Sequence, residues 1–68
     1  MDVDSKHIKT IVYDDTDDIL NITFHHGGKY KYLKVPQMVY DGLEMSSSKS
    51  LYFRHQIKNR YRTEKVRE

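Results

Sequence analysis

Residues 19–25 alternate between apolar and polar side chains, and this alternation restricts the fold more than any other feature of the chain. Leu20, Ile22 and Phe24 are spaced two residues apart, with polar residues between and after them. Successive side chains of an extended segment point to opposite faces, so these three would share one face of a β-strand. We therefore predict a strand at 19–25 with one apolar and one polar face.

Short turns flank this segment and indicate that neighbouring strands pair with it. Residues 7–13 are rich in β-branched and aromatic types and are predicted to form the first strand, and 29–35 the third. The Asp-rich segment 14–18 favours a turn because short polar side chains bond their own backbone, and 26–28 contains two glycines that permit positive φ. Three sequential strands joined by short turns predict an antiparallel meander.

After Pro36 the apolar residues are spaced four apart, which is typical of amphipathic helices. Proline suits the first turn of a helix, so a short helix is predicted over 36–45. The serines at 46–48 interrupt it and offer N-caps for a second helix, predicted over 49–61. The apolar stripe of that helix consists of Phe53, Ile57 and Tyr61. The order βββαα predicts an α+β fold in which a three-stranded antiparallel meander is followed by two helices packed on one sheet face.

The length of 68 residues is that of one small domain. We expect a single domain over 1–68 with an ordered core at about 5–62 and frayed ends. The chain contains no cysteine, which excludes disulfides and Cys-based zinc or redox sites. It begins with acidic residues rather than a signal peptide, and no apolar run approaches the roughly 20 residues of a membrane span. These features predict a cytoplasmic protein without a membrane segment.

An ordered set of aromatic and aliphatic residues runs through most of the chain. It comprises a Tyr-x-Tyr pair, Val-Pro, Val-Tyr, Leu, Ser, Tyr-Phe, Ile and Tyr, which are Tyr30, Tyr32, Val35, Pro36, Val39, Tyr40, Leu43, Ser48, Tyr52, Phe53, Ile57 and Tyr61. With this set, the segment from Ser5 to Tyr61 resembles the KTSC domain. That small domain is named for its occurrence at the C-terminus of some lysyl-tRNA synthetases and also occurs as a free-standing bacterial protein. RNA binding has been suggested for it by that association, so the resemblance implies an RNA partner.

The chain departs from the family pattern at four positions. Ser46 and Ser50 replace the small Ala and Gly expected around the start of the second helix. Arg54 stands where the pattern has Asn, and Arg62 where it has Pro. The last two changes add positive charge.

Charge is distributed unevenly along the chain. Residues 1–25 carry a net charge of −4, residues 26–48 carry +1 and residues 49–68 carry +5. On the predicted second helix, Arg54, Lys58 and Arg62 recur every four residues, and such a basic row is suited to phosphate. Cations near a helix C-terminus are also favoured by the helix dipole, so a solvated helix explains the same row. The candidate phosphate contacts are Lys29, Lys31, Lys49, Arg54, Lys58 and Arg62.

Three tyrosines are candidates for stacking on bases. Tyr30 and Tyr32 lie two residues apart on the predicted third strand, among lysines, and Tyr52 precedes the basic row. Aromatic side chains on a sheet bind single strands in this way. The alternative is packing, because a core without tryptophan needs aromatic volume from tyrosine.

Other sites find little support in the sequence. The aspartates at 14–18 lack the Gly and Glu that an EF-hand loop requires at its sixth and twelfth positions, which hold Ile19 and His25 here. No nucleophile elbow or phosphate-binding glycine loop is present, so we predict no catalytic residue, metal or cofactor. The sequence predicts a non-enzymatic binding module for RNA or another nucleic acid. The alternative is a protein–protein adaptor or small bacterial or phage regulator that does not bind nucleic acid.

Overall fold

A computed structural model describes residues 6–66 of the chain. It contains four strands and two helices: β1 (Ile8–Asp14), β2 (Ile19–Phe24), β3 (Gly28–Tyr32), α1 (Gln37–Met45), α2 (Lys49–Gln56) and β4 (Thr63–Val66). The strands form one antiparallel sheet in the order β1-β2-β3-β4. The predicted α+β class is confirmed. Fraying was predicted for the two chain ends. Residues 1–5 and 67–68 of these ends lie outside the described residues.

The alternating pattern of β2 places its apolar side chains on the buried face of the sheet, as predicted. Leu20 and Ile22 are fully buried, and Leu20 lies opposite Tyr32 while Ile22 lies opposite Tyr30. Because directly opposed residues share a face, both tyrosines lie on the same buried face. The core cluster consists of Ile8, Ile11, Leu20, Ile22, Tyr32, Val35, Leu43, Phe53 and Ile57.

A bulge in β1 lets two isoleucines three residues apart enter the same core. Ile8 pairs with Phe24 and Thr10 pairs with Thr23, so β1 has one residue more than β2 at this point. An extra residue reverses the alternation of faces on one side of a bulge. Ile8 and Ile11 are therefore both buried, although a regular strand would point them to opposite faces.

The prediction of three strands was wrong. Residues 63–66 form a fourth strand that pairs with β3, with Lys31 opposite Glu64 and Tyr32 opposite Thr63. The backbone N–H of Leu33 also donates to the carbonyl of Arg62 at 2.9 Å. Without β4, β3 would be an edge strand with a row of unpaired backbone groups, and these bonds satisfy them.

The second helix is shorter than the predicted 49–61, because it ends at Gln56. The N–H groups of Ile57 and Lys58 both donate to the carbonyl of Phe53, at 2.9 and 2.8 Å, which closes the last turn. Asn59 then adopts a left-handed conformation with φ of 64°, which Asn tolerates better than most residues and which a helix does not allow. Ile57 is buried and Tyr61 is partly buried against the core, as the apolar stripe predicted, but both residues follow the helix rather than belong to it.

Both helices cover the same face of the sheet, as predicted. From α1, the ring of Tyr40 stacks on Tyr13 of β1 with centroids 4.8 Å apart. From α2, Phe53 makes edge-to-face contacts with Phe24 and Tyr32 at 5.5 and 5.4 Å. Within residues 6–66 neither helix is long and apolar enough to cross a bilayer.

The helix ends differ in detail from the prediction. Pro36 is the N-cap residue of α1 rather than part of its first turn, with extended backbone at φ of −62° and ψ of 147°. Ser48 occupies the N-cap position of α2, but its side chain makes no capping hydrogen bond. Ser46 ends α1, where its hydroxyl donates to the carbonyl of Leu43 at 2.7 Å.

Candidate functional site

Tyr30 and Tyr32 lie within the packed face of the sheet. Tyr32 is only 5% exposed, and burial raises its pKa to about 12. The Tyr30 ring is half-buried and meets Phe24 edge-to-face at 5.7 Å. A base needs an open ring face for stacking. The contacts of Tyr32 therefore serve the core, and those of Tyr30 leave only part of its ring accessible.

Tyr52 packs between the two helices. Its ring lies so close to Gly42 of α1 that a β-carbon at position 42 would come within 2.8 Å of the Tyr52 Cζ atom and overlap its hydroxyl oxygen. Glycine is therefore required at position 42 by this close approach rather than by its backbone conformation. The ring of Tyr52 holds α1 and α2 together, and sequence reasoning had not identified the role of Gly42.

Lys29 and Lys31 lie on the opposite face of the sheet from the helices, because they alternate with the buried Tyr30 and Tyr32 on β3. Lys31 is directly opposite Glu64 of β4, and Asn21 of β2 is its neighbour on the other side. These two lysines therefore cannot form one surface with cations on the helices.

The ammonium group of Lys49 is occupied by the end of α1. Its Nζ atom donates to the carbonyls of Glu44 and Ser46, at 3.1 and 3.3 Å. Arg60 acts in the same way on α2, because its Nε atom donates to the carbonyl of His55 at 3.0 Å. Cations at helix C-termini satisfy carbonyls that have no partner within the helix. Both groups have a structural role that the charge pattern does not reveal.

The predicted row of Arg54, Lys58 and Arg62 is not one helical stripe, because α2 ends at Gln56. Arg62 follows the turn and leads into β4. Arg54 and Lys58 remain together and line one open cleft of about 270 Å³ at the end of the sheet where β1 begins and β2 ends.

The cleft combines an apolar interior with polar groups. Ile8, Phe24 and Phe53 form its apolar wall, and His7 and Ser50 contribute polar side chains beside Arg54 and Lys58. Within the described part of the chain, the side chains of Arg54 and Lys58 take part in no hydrogen bond or ion pair, in contrast to Lys49. Their positive charge is therefore available to an anion.

The other end of β1 is closed by hydrogen bonds. The Tyr13 hydroxyl donates to the carbonyl of Val35 at 2.7 Å and also lies 3.1 Å from the carboxylate of Asp18. Burial, followed by the bond to Asp18 and the nearby carboxylates, raises the pKa of Tyr13 to about 12. Burial and the contact with Glu44 also raise the pKa of Tyr40, which stacks on Tyr13.

The aspartate-rich turn supports this closed end. The Asp14 carboxylate accepts the N–H of Thr16 at 3.0 Å, and Asp18 adopts φ of 56° while its carbonyl accepts the N–H of Val35 at 2.8 Å. The turn thus anchors the segment that leads from β3 to α1.

Over residues 6–66, no group of three or more His, Asp or Glu side chains is arranged to hold a metal ion.

Sequence reasoning identified the two cations of the cleft but not its other residues. His7, Phe24 and Ser50 come from three separate segments, and only the fold brings them beside Arg54. The proximity of Phe53 to Arg54 in the sequence was the one available indication that an aromatic ring and a cation meet there.

Comparison with known proteins identifies relatives over nearly the whole chain. The KTSC domain family model matches residues 4–61. The crystal structure of a KTSC domain protein from Yersinia pestis superposes with a TM-score of 0.96 at 31% sequence identity, covering 98% of this chain and 94% of that one.

Two lysine–tRNA ligases also match in sequence. The lysine–tRNA ligase of Trichormus variabilis is 36% identical over 59 residues, which are 87% of this chain and 10% of the ligase. The lysine–tRNA ligase of Nostoc sp. gives the same identity and coverage. The chain therefore spans about a tenth of the length of the ligases it matches. Together, the family model and the structural match show that this chain belongs to the KTSC domain family.

Proposed function

We propose that this chain is a cytoplasmic, non-enzymatic domain that binds RNA through its phosphate backbone, with Arg54 and Lys58 as the principal contacts. The observation that carries the proposal is the cleft, where these two cations lie beside each other without a partner among the described residues. Unpaired cations on a protein surface attract polyanions, and each phosphate contact gains free energy by releasing counterions.

The relatives suggest which polyanion to test. Two of them are lysine–tRNA ligases, whose names include an RNA substrate. The +5 charge of residues 49–68 also favours approach of an anionic strand to the end of the chain that carries Arg54 and Lys58.

The geometry narrows the candidate contacts. Lys29 and Lys31 lie on the far face of the sheet, and Lys49 is bonded to the end of α1, so we assign the primary contact to neither group. Arg62 is exposed after the turn and is proposed as a secondary phosphate contact. Among the tyrosines, none is proposed as a primary stacking platform, because Tyr32 is buried and Tyr52 lies between the helices.

The test is RNA affinity as a function of salt, measured by fluorescence anisotropy with a labelled single-stranded oligonucleotide. We expect the double variant Arg54→Glu/Lys58→Glu to bind at least ten-fold more weakly than the wild type at low salt. Losing two phosphate contacts should also reduce the slope of log K against log salt by about 1.4. The matched control is Lys29→Glu/Lys31→Glu, which reverses the same amount of charge on the other face. Absence of RNA binding at low salt, or an equal loss in both double variants, would overturn the proposal.

A second candidate function is a protein–protein adaptor, and one observation favours it. Met38 and Met45 are seven residues apart on α1, share one side of that helix, and are 81% and 85% exposed. Exposed apolar side chains on one helix side are typical of contact surfaces. The exposed Asp41 and Glu44 on the same helix indicate a partner that presents apolar side chains flanked by basic ones.

The adaptor function predicts that a partner protein is recovered from nuclease-treated lysate by the wild type and is lost with Met38→Ser/Met45→Ser. The Arg54→Glu/Lys58→Glu variant serves as the control, because it leaves the methionines unchanged. Recovery of the same protein by the methionine variant would exclude α1 as the contact surface.

A further inference from the structure

We propose that the cleft beside α2 is a subsite for one nucleotide, in which an unstacked base contacts the aromatic wall while its phosphate lies between Arg54 and Lys58. This inference rests on the proposed RNA-binding function and specifies what that surface recognises. It differs from a generic basic patch in requiring both a ring and a phosphate in one ligand.

The apolar wall supplies the contact for a ring. Phe53 and Ile8 form its buried part, at 8% and 1% exposure, and Phe24 is half-buried beside them. The rings of Phe24 and Phe53 meet edge-to-face at 5.5 Å and 64°, so they present an angled aromatic surface rather than two stacked faces. Phe24 is the more accessible of the two rings and Phe53 closes the cleft behind it, so the base would stack on Phe24, a contact that shows little preference for sequence.

The polar groups are placed to hold an anion at the same time. Arg54 and Lys58 contribute charge, and the hydroxyl of Ser50 can donate a hydrogen bond from the first turn of α2. The first turn of α2 contains no acidic residue that would repel a phosphate. A guanidinium offers several N–H groups in a fixed planar arrangement that suits phosphate oxygens.

The size of the cleft limits the occupant. Its volume of about 270 Å³ lies just below the roughly 300–1,000 Å³ typical of pockets for drug-sized ligands. A volume of this size accommodates one base. Bases in a duplex are stacked and paired, so the occupant must come from a single strand, a loop or a chain end.

The experiment compares four small anions by NMR titration of the full chain: adenosine 5′-monophosphate, ribose 5-phosphate, inorganic phosphate and phosphotyrosine. We expect the mononucleotide to shift the amide resonances of Phe24, Ser50 and Arg54 and to bind at least five-fold more tightly than ribose 5-phosphate, which lacks the base. Inorganic phosphate should bind more weakly still. Equal affinities for the mononucleotide and ribose 5-phosphate would overturn the subsite, and so would tighter binding of phosphotyrosine.

A pair of matched variants tests the aromatic wall. Phe24→Leu keeps an apolar side chain but removes the ring, and we expect it to weaken mononucleotide binding about ten-fold. Tyr30→Leu removes the neighbouring half-buried ring, which contacts Phe24 but does not line the cleft, and should leave that affinity within two-fold. Thermal unfolding of both variants verifies that each is folded. A loss of the same size in both variants would contradict the assignment of the wall.

The experiments distinguish failure of the nucleotide subsite from failure of the proposed RNA-binding function. If RNA binding depends on Arg54 and Lys58 but mononucleotides show no preference over ribose 5-phosphate, RNA binding stands and the subsite is overturned. If mononucleotides bind in the cleft but single-stranded RNA does not bind at low salt, the subsite stands and the RNA-binding function is overturned.

Discussion

The two ends of β1 lie under the same pair of helices but differ in how their polar groups are satisfied. At the Asp14 end, the hydroxyl of Tyr13 is bonded to the carbonyl of Val35 and its ring is stacked on Tyr40. At the Ile8 end, an open cleft carries Arg54 and Lys58 with no partner among residues 6–66. We call these the closed end and the open end. The contacts of the closed end stabilise the fold, and the open end is where we propose that RNA binds.

The same distinction applies to the cations of the chain. Lys49 and Arg60 donate to carbonyls at helix ends, so their charges stabilise the helices. Arg54 and Lys58 have no such bonds within the described residues, although Arg54 lies only five positions after Lys49. Positive charge in the sequence therefore does not identify a binding surface until the bonded cations are set aside.

The largest expected effect is on the free energy of unfolding, to which the closed end should contribute much more than the open end. Tyr13→Ala removes the stacked ring and leaves the Val35 carbonyl without its donor, so we expect it to lower the free energy of unfolding by about 3 kcal/mol. Arg54→Ala should change it by less than about 0.5 kcal/mol, because its charge makes no bond among the described residues. Urea unfolding monitored by circular dichroism measures both values. Similar losses for the two variants would remove the distinction.

The next effect tests the contact between the helices. Gly42→Ala should destabilise the protein by roughly 1–2 kcal/mol, since the overlap of the new methyl with Tyr52 outweighs the gain of about 1 kcal/mol in helix propensity. In a Tyr52→Leu background the same change should stabilise the protein, because the overlapping ring is absent. A destabilising Gly42→Ala in both backgrounds would show that Tyr52 is not the cause.

A further prediction concerns alkaline pH. The pKa of Tyr13 is raised from 10.0 to about 12 in the folded protein, so the folded state retains its proton at pH values where the unfolded chain has released it. This contribution to stability is complete below pH 10 and is lost as the pH rises toward about 12. Tyr32, whose pKa is also raised to about 12, adds to the same decline.

Tyr13→Phe removes the titrating group at the closed end. We expect a loss of about 1 kcal/mol at neutral pH from the missing hydrogen bond, together with a shallower decline in stability between pH 10 and 12. Urea midpoints measured at pH 7, 9, 10 and 11 provide the comparison. A decline as steep as that of the wild type would show that Tyr13 does not contribute to it.

The smallest expected effect on stability belongs to the open end. Arg54→Glu/Lys58→Glu should leave the free energy of unfolding within about 0.5 kcal/mol of the wild type, because exposed charges contribute little. The same variant is expected to lose RNA affinity. A loss of more than about 1.5 kcal/mol would mean that Arg54 and Lys58 stabilise the fold. RNA affinity would then be measured with a variant that remains folded, such as Arg54→Gln.

The parts of the fold that sequence predicted are those fixed by local pattern. The alternation of Leu20, Ile22 and Phe24, and the turns on either side, were sufficient to predict that β1 to β3 exist, although β3 ends at Tyr32 rather than at residue 35. β4 was missed because Thr63, Glu64 and Lys65 are all exposed, so no burial pattern indicates a strand. Its pairing depends on the unpaired edge of β3, which is a property of the folded sheet.

The end of α2 and the cleft were missed for related reasons. The four-residue spacing continues to Tyr61, and only Asn59, which adopts φ of 64°, indicates the stop. The charge pattern correctly associated Arg54 with Lys58, although it placed both on a longer helix. Phe24 and His7 could not be connected with them, because their proximity depends on the register of β1 and β2.

The central claim is that binding occurs at the open end and not at the closed end. Amide chemical-shift mapping of the full chain with a short single-stranded RNA tests it most directly. We predict shifts at Phe24, Ser50, Arg54 and Lys58, with Tyr13, Val35 and Tyr40 unchanged. Shifts concentrated at Tyr13, Val35 and Tyr40, or on Lys29 and Lys31 across the sheet, would contradict the account.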